Sequence, residues 1–276
     1  MSDSRLRGIL PHLDRASREL GRRRDNRIVR GLARIARPFV HTVDGAARSY
    51  DMSVNGEAWL LGRVAPGAVV LDVGANVGEW SEIAIDRGAA AVHAFEILPA
   101  TADTFAANLG GSDRVALNRI GLGSEPGSVT VHYYPDNPAL TTTATAFPHS
   151  LPHDEVVVDV ITGDQYLEST DIDRVDLLKI DVEGEEPNVL RGFLDALGAG
   201  RVGAIQFEYG VVAALSRFLI IDFYELLQPL GFELGPLLPD HVDFQPYNLS
   251  LERFEYVNWV AVHSSRPDLR SKLSPG

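Results

Sequence analysis

From residue 67 onward, short apolar segments alternate with longer stretches in which apolar residues recur at helical spacing. The apolar segments are AVVLDV (68–73), AVHAFE (91–96), VALNRI (115–120), VDLLKI (175–180) and GAIQFE (203–208). Strands that are buried on both faces read as continuous apolar runs, and strands alternating with helices form parallel sheets. The pattern therefore predicts a doubly wound, mostly parallel α/β domain. The intervening helices are predicted to begin near Val77, Pro99, Glu185 and Ile221.

The two ends of the chain depart from this alternation. Two apolar segments, 231–238 and 254–263, predict an antiparallel strand pair that closes an edge of the sheet. Residues 1–60 place apolar side chains at roughly helical spacing and predict a helical extension outside the sheet. The main domain is then predicted to span 61–265, and 266–276 to form a flexible tail.

Residues 134–154 interrupt the pattern with four prolines, four threonines and two histidines. A loop of this length in a compact domain is more often a substrate loop than a simple connection. Its His153 is a candidate general base, because the ordinary pKa of imidazole lies near neutrality. Most histidines in such loops nevertheless have no catalytic role.

Charge is distributed unevenly along a chain whose formal net charge is −13. The first fifty residues hold 12 Arg against 5 acidic residues, a net +7, and the remainder carries −20. An acidic body does not suit a partner bound through its phosphates, so no nucleic-acid partner is expected. It suits a cationic cofactor. The arginine-rich start is predicted to be a solvated helix face, or alternatively to dock an acidic carrier protein or a second subunit in a homodimer.

The chain has no cysteine, which removes disulfides, thiolate metal sites and cysteine nucleophiles from consideration. It also has no apolar run of membrane-spanning length and no leader-like segment. We therefore expect a soluble, cytoplasmic protein without a membrane span.

A glycine-containing turn follows the first predicted strand, in VVLDVGANVGEWS (69–81). Asp72 ends the strand, and Gly74 and Gly78 bracket the turn, where a Cβ would obstruct both the backbone and a ligand. Ligands of open α/β sheets bind at this edge. Glu96 ends the second strand, where a carboxylate can accept both hydroxyls of a ribose. Together these residues predict a site for a nucleoside-bearing cofactor.

Several neighbours of these residues are further cofactor-binding candidates. Ala75 and Asn76 lie inside the turn, and Ile97 follows the ribose-binding carboxylate. Gly121 and Leu122 lie just past the third strand, where an adenine ring is expected.

The segment LLKIDVEGEEPNVLRG (177–192), together with LDVGANVGEWS, resembles the FkbM family of class I S-adenosylmethionine (SAM)-dependent methyltransferases. The resemblance covers roughly 67–210. It implies a Rossmann-like seven-stranded sheet and methyl transfer from SAM, usually to a hydroxyl oxygen of a secondary metabolite, such as a polyketide, or of a sugar. Asp181 and Glu183 would face the reaction. Carried over by position, the implied cofactor-binding set is Asp72, Gly74, Asn76, Gly78 and Glu96.

The acids after the fourth strand can supply the base that a hydroxyl acceptor needs. Asp181 and Glu183 are two residues apart, so an extended backbone would point both carboxylates to one side. A positioned base contributes about 10²–10⁴-fold in rate, and Asp181 could instead hold the cofactor's amino group. With Glu208, at the end of the fifth strand, these acids could also form a Mg²⁺ site, which we do not favour because oxygen ligands have no diagnostic spacing. Lys179, inside an apolar strand, predicts a structural ion pair.

Other functions compete with hydroxyl methylation. An already ionised carboxylate acceptor would need no base, so carboxylate methylation of a small molecule or a peptide is the nearest alternative. A non-catalytic SAM- or nucleoside-binding module would keep the fold but not the acids at 181 and 183. A nicotinamide-dependent dehydrogenase is disfavoured by the spacing D-x-G-x-N-x-G, which differs from the dinucleotide pattern.

Overall fold

The computed structural model describes residues 51–134, 153–210 and 213–275. Residues 1–50, with the predicted N-terminal helices and their arginines, lie outside the described part of the chain, as do residues 135–152 of the proline-rich loop. The expectations placed on those two segments therefore stay predictions.

The described residues alternate strands and helices in the predicted manner. The strands are β1 (Val69–Val73), β2 (Ala91–Phe95), β3 (Val115–Asn118), β4 (Gly121–Leu122), β5 (Gly127–Tyr133), β6 (Asp154–Ile161), β7 (Leu177–Ile180), β8 (Ala204–Tyr209), β9 (Phe232–Pro236) and β10 (Val257–His263). The α-helices are α1 (Glu57–Val64), α2 (Glu79–Asp86), α3 (Pro99–Leu109), α4 (Gly163–Ser169), α5 (Glu186–Arg191), α6 (Leu194–Gly198), α7 (Ala213–Ser216), α8 (Ile220–Leu227) and α9 (Pro267–Leu273). Short 3₁₀ turns occupy Gln228–Leu230 and Leu249–Leu251.

Seven strands form one sheet in the order β3-β2-β1-β7-β8-β10-β9. The first five are parallel, and β10 is antiparallel to both β8 and β9. The doubly wound, mostly parallel sheet and the antiparallel pair are thus confirmed. The final strand lies inside the sheet and leaves β9 at the edge. The four predicted helices begin within two residues of their expected starts.

Both faces of the central sheet are covered, as its continuous apolar strands predict. Adjacent residues of β1 show this, because Val70 and Leu71 belong to different hydrophobic clusters, and each is fully buried. Leu177 and Leu178 of β7 divide between the clusters in the same way. Helices therefore occupy both faces, and the carboxyl edge is where ligand-binding residues can collect.

A second sheet of three strands, in the order β4-β6-β5, was not predicted. In β6 burial alternates along the chain, since Glu155, Val157 and Asp159 are exposed while Val158 and Val160 are buried. This is the period-2 burial of a strand with one solvated face. The alternation is hard to recognise in the sequence because an exposed valine, Val157, stands among the buried ones.

The predicted boundaries at the two ends of the domain need correction. Helix α1 crosses residue 60, and its Leu60 and Leu61 are fully buried in the core beneath the sheet. The predicted flexible tail instead contains α9, whose Leu269 and Leu273 are buried because they lie four residues apart on one helix face. Within the described ranges, no helix combines the length and apolar character needed to cross a bilayer.

Candidate active site

The turn after β1 is built as its glycines predict. Gly74 has φ 81°, and a Cβ placed there would overlap the backbone carbonyl of Asp181 at the end of β7. Gly78 has φ 96°, and its Cβ would lie 2.9 Å from the side chains of Phe105 and Leu109 in α3. The turn can therefore pass close to β7 and α3 only because both residues lack a side chain.

Backbone hydrogen bonds hold the turn against β2. The amides of Gly74 and Ala75 donate to the carbonyl of Phe95, at 3.1 and 2.9 Å, and Ala75 is buried. Asn76 has φ 49°, in the left-handed region that asparagine tolerates better than most residues. Its amide donates to Oε2 of Glu96 at 2.9 Å.

Glu96 lies where a ribose-binding carboxylate was predicted. Its second oxygen accepts the amide of Leu98 at 2.8 Å, so backbone donors fix the orientation of the whole carboxylate. Burial raises its pKa, and these backbone hydrogen bonds oppose that effect. A carboxylate can accept about four hydrogen bonds, so acceptor capacity is left for a ribose hydroxyl.

Of the predicted adenine-side residues, Gly121 lies beside Ile97, which follows Glu96 in the chain. A Cβ on Gly121 would lie 3.4 Å from Cγ2 of Ile97 and 3.2 Å from Cγ2 of Val160. Leu122, in contrast, is buried in the core. The structure thus brings Ile97 and Gly121 together at one side of Glu96, and it places the Leu122 side chain away from solvent.

Asp72 does not present its carboxylate to a ligand, which corrects the role predicted for it. The residue is 0% exposed, and its carboxylate accepts the Ser81 hydroxyl at 2.7 Å and Nζ of Lys179 at 3.1 Å. It therefore joins β1, α2 and β7 from inside the fold. Through Lys179, which also donates to the carbonyl of Gly74, it helps to position the turn.

Lys179 makes the ion pair that its apolar surroundings predict. Its ammonium lies 3.1 Å from Asp72 and 3.5 Å from Asp181, and it also donates to the carbonyl of Gly74 at 3.2 Å. Burial alone would lower the pKa of Lys179, but the surrounding carboxylates raise it above its ordinary value. The lysine is therefore a fixed positive charge beneath the turn.

Three carboxylates converge at the carboxyl ends of β7 and β8. One oxygen each of Asp181, Glu183 and Glu208 lie within 4.8 Å of one another. Their convergence was predicted from an extended backbone, but Glu183 has φ 53° and Gly184 φ 109°, so a left-handed turn brings the side chain back. Carboxylate oxygens are ligands that Mg²⁺ prefers, so this group could hold such an ion.

The local electrostatics favour protonated carboxyls. Burial and the charge of Asp181 raise the pKa of Glu183 to about 8. Burial and the surrounding acids raise the pKa of Glu208 to about 9. Glu186 has a pKa raised to about 7, mainly by burial, although it accepts the backbone amides of Val182 and Gly184. A cation entering this site would stabilise the ionised forms of all three.

A cleft lies beside the acids. Besides Glu183 and Glu208, its walls include the aromatic side chains Tyr209, Phe218 and Phe223. Phe223 also stacks on Phe207 in the core, with ring centroids 4.2 Å apart, which fixes this wall. Two of the three acids therefore border an aromatic wall.

Sequence reasoning missed a polar network behind the acids. Gln206 of β8 is fully buried, donates to Glu57 at 2.6 Å and to Asn258 at 3.1 Å, and accepts the indole N–H of Trp80 at 3.4 Å. Burial raises the pKa of Glu57. A glutamine inside the apolar run GAIQFE was the available signal, because a buried amide needs partners.

His153, the predicted alternative base, belongs to a different group of side chains. It precedes β6, and its ring lies 5.1 Å from that of His132 and 5.3 Å from that of Tyr134. Of the three converging acids, Glu208 is on β8 and the other two are in the turn between β7 and α5. The structure therefore assigns His153 to the small sheet and not to the acidic group.

The strand order, the glycine turn and the acids at the carboxyl edge define an α/β fold of the class I methyltransferase type. A family model described as the methyltransferase FkbM domain matches residues 72–234, more than half of the chain. The chain therefore belongs to the FkbM methyltransferase family, as the sequence resemblance implied.

Two curated relatives and one solved structure are similar to parts of this chain. The hexuronic acid methyltransferase AglP of Haloferax volcanii is 28% identical over 196 residues, which are 64% of this chain and 77% of that protein. Methyltransferase 1 of Beauveria bassiana is 34% identical over 146 residues, 46% of this chain and 58% of that protein. The crystal structure of methyltransferase FkbM from Methylobacillus flagellatus is 14% identical with a TM-score of 0.46, covering 83% of this chain and 60% of that one.

Proposed function

We propose that this methyltransferase uses SAM to methylate a hydroxyl oxygen of a small molecule, in particular a sugar or glycoside, with a secondary metabolite such as a polyketide as a further acceptor class. The observation that carries the proposal is the group of three carboxylates beside the glycine turn, with their raised proton affinity. The name of the relative AglP, a hexuronic acid methyltransferase, supports a sugar-related acceptor.

The residues present fit SAM. Glu96 has spare acceptor capacity for a ribose, Gly74 leaves the turn without a Cβ, and Ile97 with Gly121 offers an apolar contact for an adenine ring. The carboxylate of Asp181 is the partly exposed end of the Lys179 ion pair and could accept the amino group of the cofactor. When bound, SAM supplies an electrophilic methyl group on a sulfonium, and the neighbouring acids favour that positive charge.

A hydroxyl acceptor needs a base, and Glu183 is suited to that role. Its raised pKa means that the carboxylate, once ionised, binds a proton more strongly than that of an ordinary glutamate does. A base whose pKa lies near the working pH is the most effective. Glu183 would accept the hydroxyl proton as the acceptor oxygen takes the methyl group, with the carbon–sulfur bond broken and S-adenosylhomocysteine as the leaving group. Glu208 could share that proton within the group.

The charge of the site favours a hydroxyl over a carboxylate acceptor. Asp181, Glu183 and Glu208 face one buried lysine, Lys179, whose charge is already shared with Asp72. With Glu183 ionised so that it can act as the base, its charge and that of Asp181 would repel an anionic acceptor. Carboxylate methylation is the second candidate, because a hexuronic acid carries both kinds of group and the relative's name does not distinguish them.

The proposal does not require a metal. Mg²⁺ held by Asp181, Glu183 and Glu208 would acidify a bound hydroxyl and replace the base. The acids alone can also remove the proton, so we expect methyl transfer to survive chelation.

The experiment uses methyl-labelled SAM and three matched acceptors, namely a neutral hexoside, a hexuronic acid glycoside and the methyl ester of that glycoside. Hydroxyl methylation should label the neutral sugar or the ester in a base-stable ether, with and without a chelator. Label found only in the free acid, and released by mild alkali, would instead establish carboxylate methylation. Calorimetry with SAM and S-adenosylhomocysteine tests the cofactor separately, and no heat from either would contradict SAM use.

A further inference from the structure

A second group of metal-ligating side chains lies on the small sheet. The antiparallel register of β5 and β6 places His132 directly opposite Glu155. His153 immediately precedes β6, and its ring lies 5.1 Å from the ring of His132 in an edge-on contact. Two imidazoles and one carboxylate therefore meet at the end of this strand pair.

The three side chains are close enough to bind one ion. One ring nitrogen of each histidine and one oxygen of Glu155 all lie within 4.8 Å of one another. His132 is 9% exposed, whereas His153 is half-buried and Glu155 is exposed. The group is thus anchored in the protein on one side and open to solvent on the other.

We propose that His132, His153 and Glu155 bind a divalent transition-metal ion of the Zn²⁺ type. Two histidines and one glutamate are a ligand set that zinc uses when water fills the remaining position. Imidazole nitrogen suits zinc and its neighbours in the periodic table, while Mg²⁺ and Ca²⁺ prefer oxygen. The site therefore differs in chemistry from the three carboxylates of the candidate active site.

This metal site is separate from the candidate active site. Val160 of β6 pairs with Gly121 near the cofactor side, and Glu155 lies five residues before it. Five residues of extended strand span about 17 Å. The bound ion is a structural link, because it joins the last residues of the edge strand β5 to the first residues of β6.

The test uses the full-length, untagged chain after removal of metal by a chelator and dialysis. Calorimetric titration with Zn²⁺ should show one ion per chain, and Co²⁺ should give the visible absorption of a site with nitrogen ligands. The variants Glu155→Gln and His153→Gln should each weaken Zn²⁺ binding by about tenfold or more. Asp154→Asn is the matched control, since it changes the adjacent carboxylate on the other face of the strand and should bind as the wild type does.

Several results would overturn the proposal. No Zn²⁺ binding by the wild type would do so, as would unchanged affinity in both variants whose circular dichroism is native. If Glu208→Gln were the only variant to lose Zn²⁺ binding, the ion would belong to the group of Asp181, Glu183 and Glu208 instead. These readouts measure binding only, so they stand or fall independently of methyl transfer.

Discussion

Gly74 is the residue on which the turn depends most closely. It lies between the end of β1 and the carbonyl of Asp181, and its φ of 81° is unfavourable for any residue with a side chain. Replacing it should therefore destabilise the fold for two reasons, namely the left-handed backbone conformation and the overlap of a side chain with β7.

Gly74→Ala should unfold the protein or abolish SAM binding. Gly67→Ala is the matched control, because Gly67 has φ 76° but a Cβ at this position would meet no other atom within 4 Å. The control should lose only about 1–2 kcal/mol of unfolding free energy, the cost of the left-handed conformation. Denaturant unfolding and calorimetry with SAM measure both effects, and equal losses in the two variants would contradict the close-contact explanation.

Glu183 should give methyl transfer a distinctive pH dependence. Because its pKa is raised to about 8 and the base must be ionised, kcat/KM should rise with pH and level off above that value. The pH profile of kcat should have a lower midpoint than that of kcat/KM, because the positive charge of bound SAM would lower the pKa of Glu183. Initial rates between about pH 6 and 9.5, a range that brackets the ionisation of this base, provide the measurement.

The matching substitution separates Glu183 from its neighbours. Glu183→Gln should lower kcat by about 10²–10⁴-fold. Glu185→Gln should leave it nearly unchanged, because Glu185 hydrogen-bonds to Asn188 and is outside the acidic group. Comparable rates for wild type and Glu183→Gln would exclude this base.

At the residue scale, the sequence predicts which residues approach the site better than it predicts what they do there. The positions of Glu96, Asp181, Glu183 and Glu208 follow from strand ends, which gather at one edge of a parallel sheet. The inward orientation of Asp72 does not follow, because it depends on Ser81 and a lysine 107 residues away.

Among the elements, β1 and β7 are joined by a buried ion pair as well as by their backbones. Lys179→Met should cost about 3–5 kcal/mol of unfolding free energy, because it leaves Asp72 buried without its positive partner. Lys272→Met changes the other lysine of the chain, which is exposed on α9, and should have little effect. Chemical denaturation compares them. A similarly small loss of unfolding free energy in both variants would mean that the hydrogen bond from the Ser81 hydroxyl is enough to stabilise the buried Asp72.

Helix α9 should behave as part of the core and not as a tail. Leu269→Ala removes a side chain that is 1% exposed and should cost about 2–5 kcal/mol. Leu249→Ala is the control at a side chain that is 78% exposed, where a change within about 0.5 kcal/mol is expected. Thermal unfolding measures both, and a Leu269→Ala variant as stable as the wild type would show that α9 does not support the fold.

The sequence predicts long, uniformly apolar strands well and short or half-exposed elements poorly. Strands β1, β7 and β8 could be found because almost all of their positions are buried and most of these are apolar. Strand β5 shows little contrast between buried and exposed positions along the chain, since four of its seven residues are exposed. Helix α9 has two core leucines in seven residues, too few to distinguish it from a tail.

For the whole molecule, the raised pKa values predict a loss of stability with increasing pH. Glu186, Glu183 and Glu208 have pKa values near 7, 8 and 9, against 4.5 for an ordinary glutamate. Between about pH 5 and 8 the folded chain therefore keeps protons that the unfolded chain has released. Since the unfolded state then binds fewer protons, the free energy of unfolding falls as pH rises.

Removing one of these carboxyls should flatten that dependence. Glu208→Gln should be more stable than the wild type at pH 8 by about 1 kcal/mol, or about 2–4 °C in Tm, and closer to it at pH 5. Glu225→Gln, on the exposed side of α8, controls for the loss of a surface acid. Tm is measured across this pH range. If the Tm of Glu208→Gln changed with pH in parallel with that of the wild type, the raised pKa of Glu208 would be contradicted.

The position of β10 has a consequence for biosynthesis. This strand is inserted between β8 and β9, and in the described sheet it is the sole neighbour of β9. While a ribosome is still translating the codons before residue 257, the nascent β9 has no partner strand, and the edge of β8 is uncovered. Completion of the sheet must wait for the last strand to emerge, so a stalled translation product would expose two unpaired edges to chaperones and proteases.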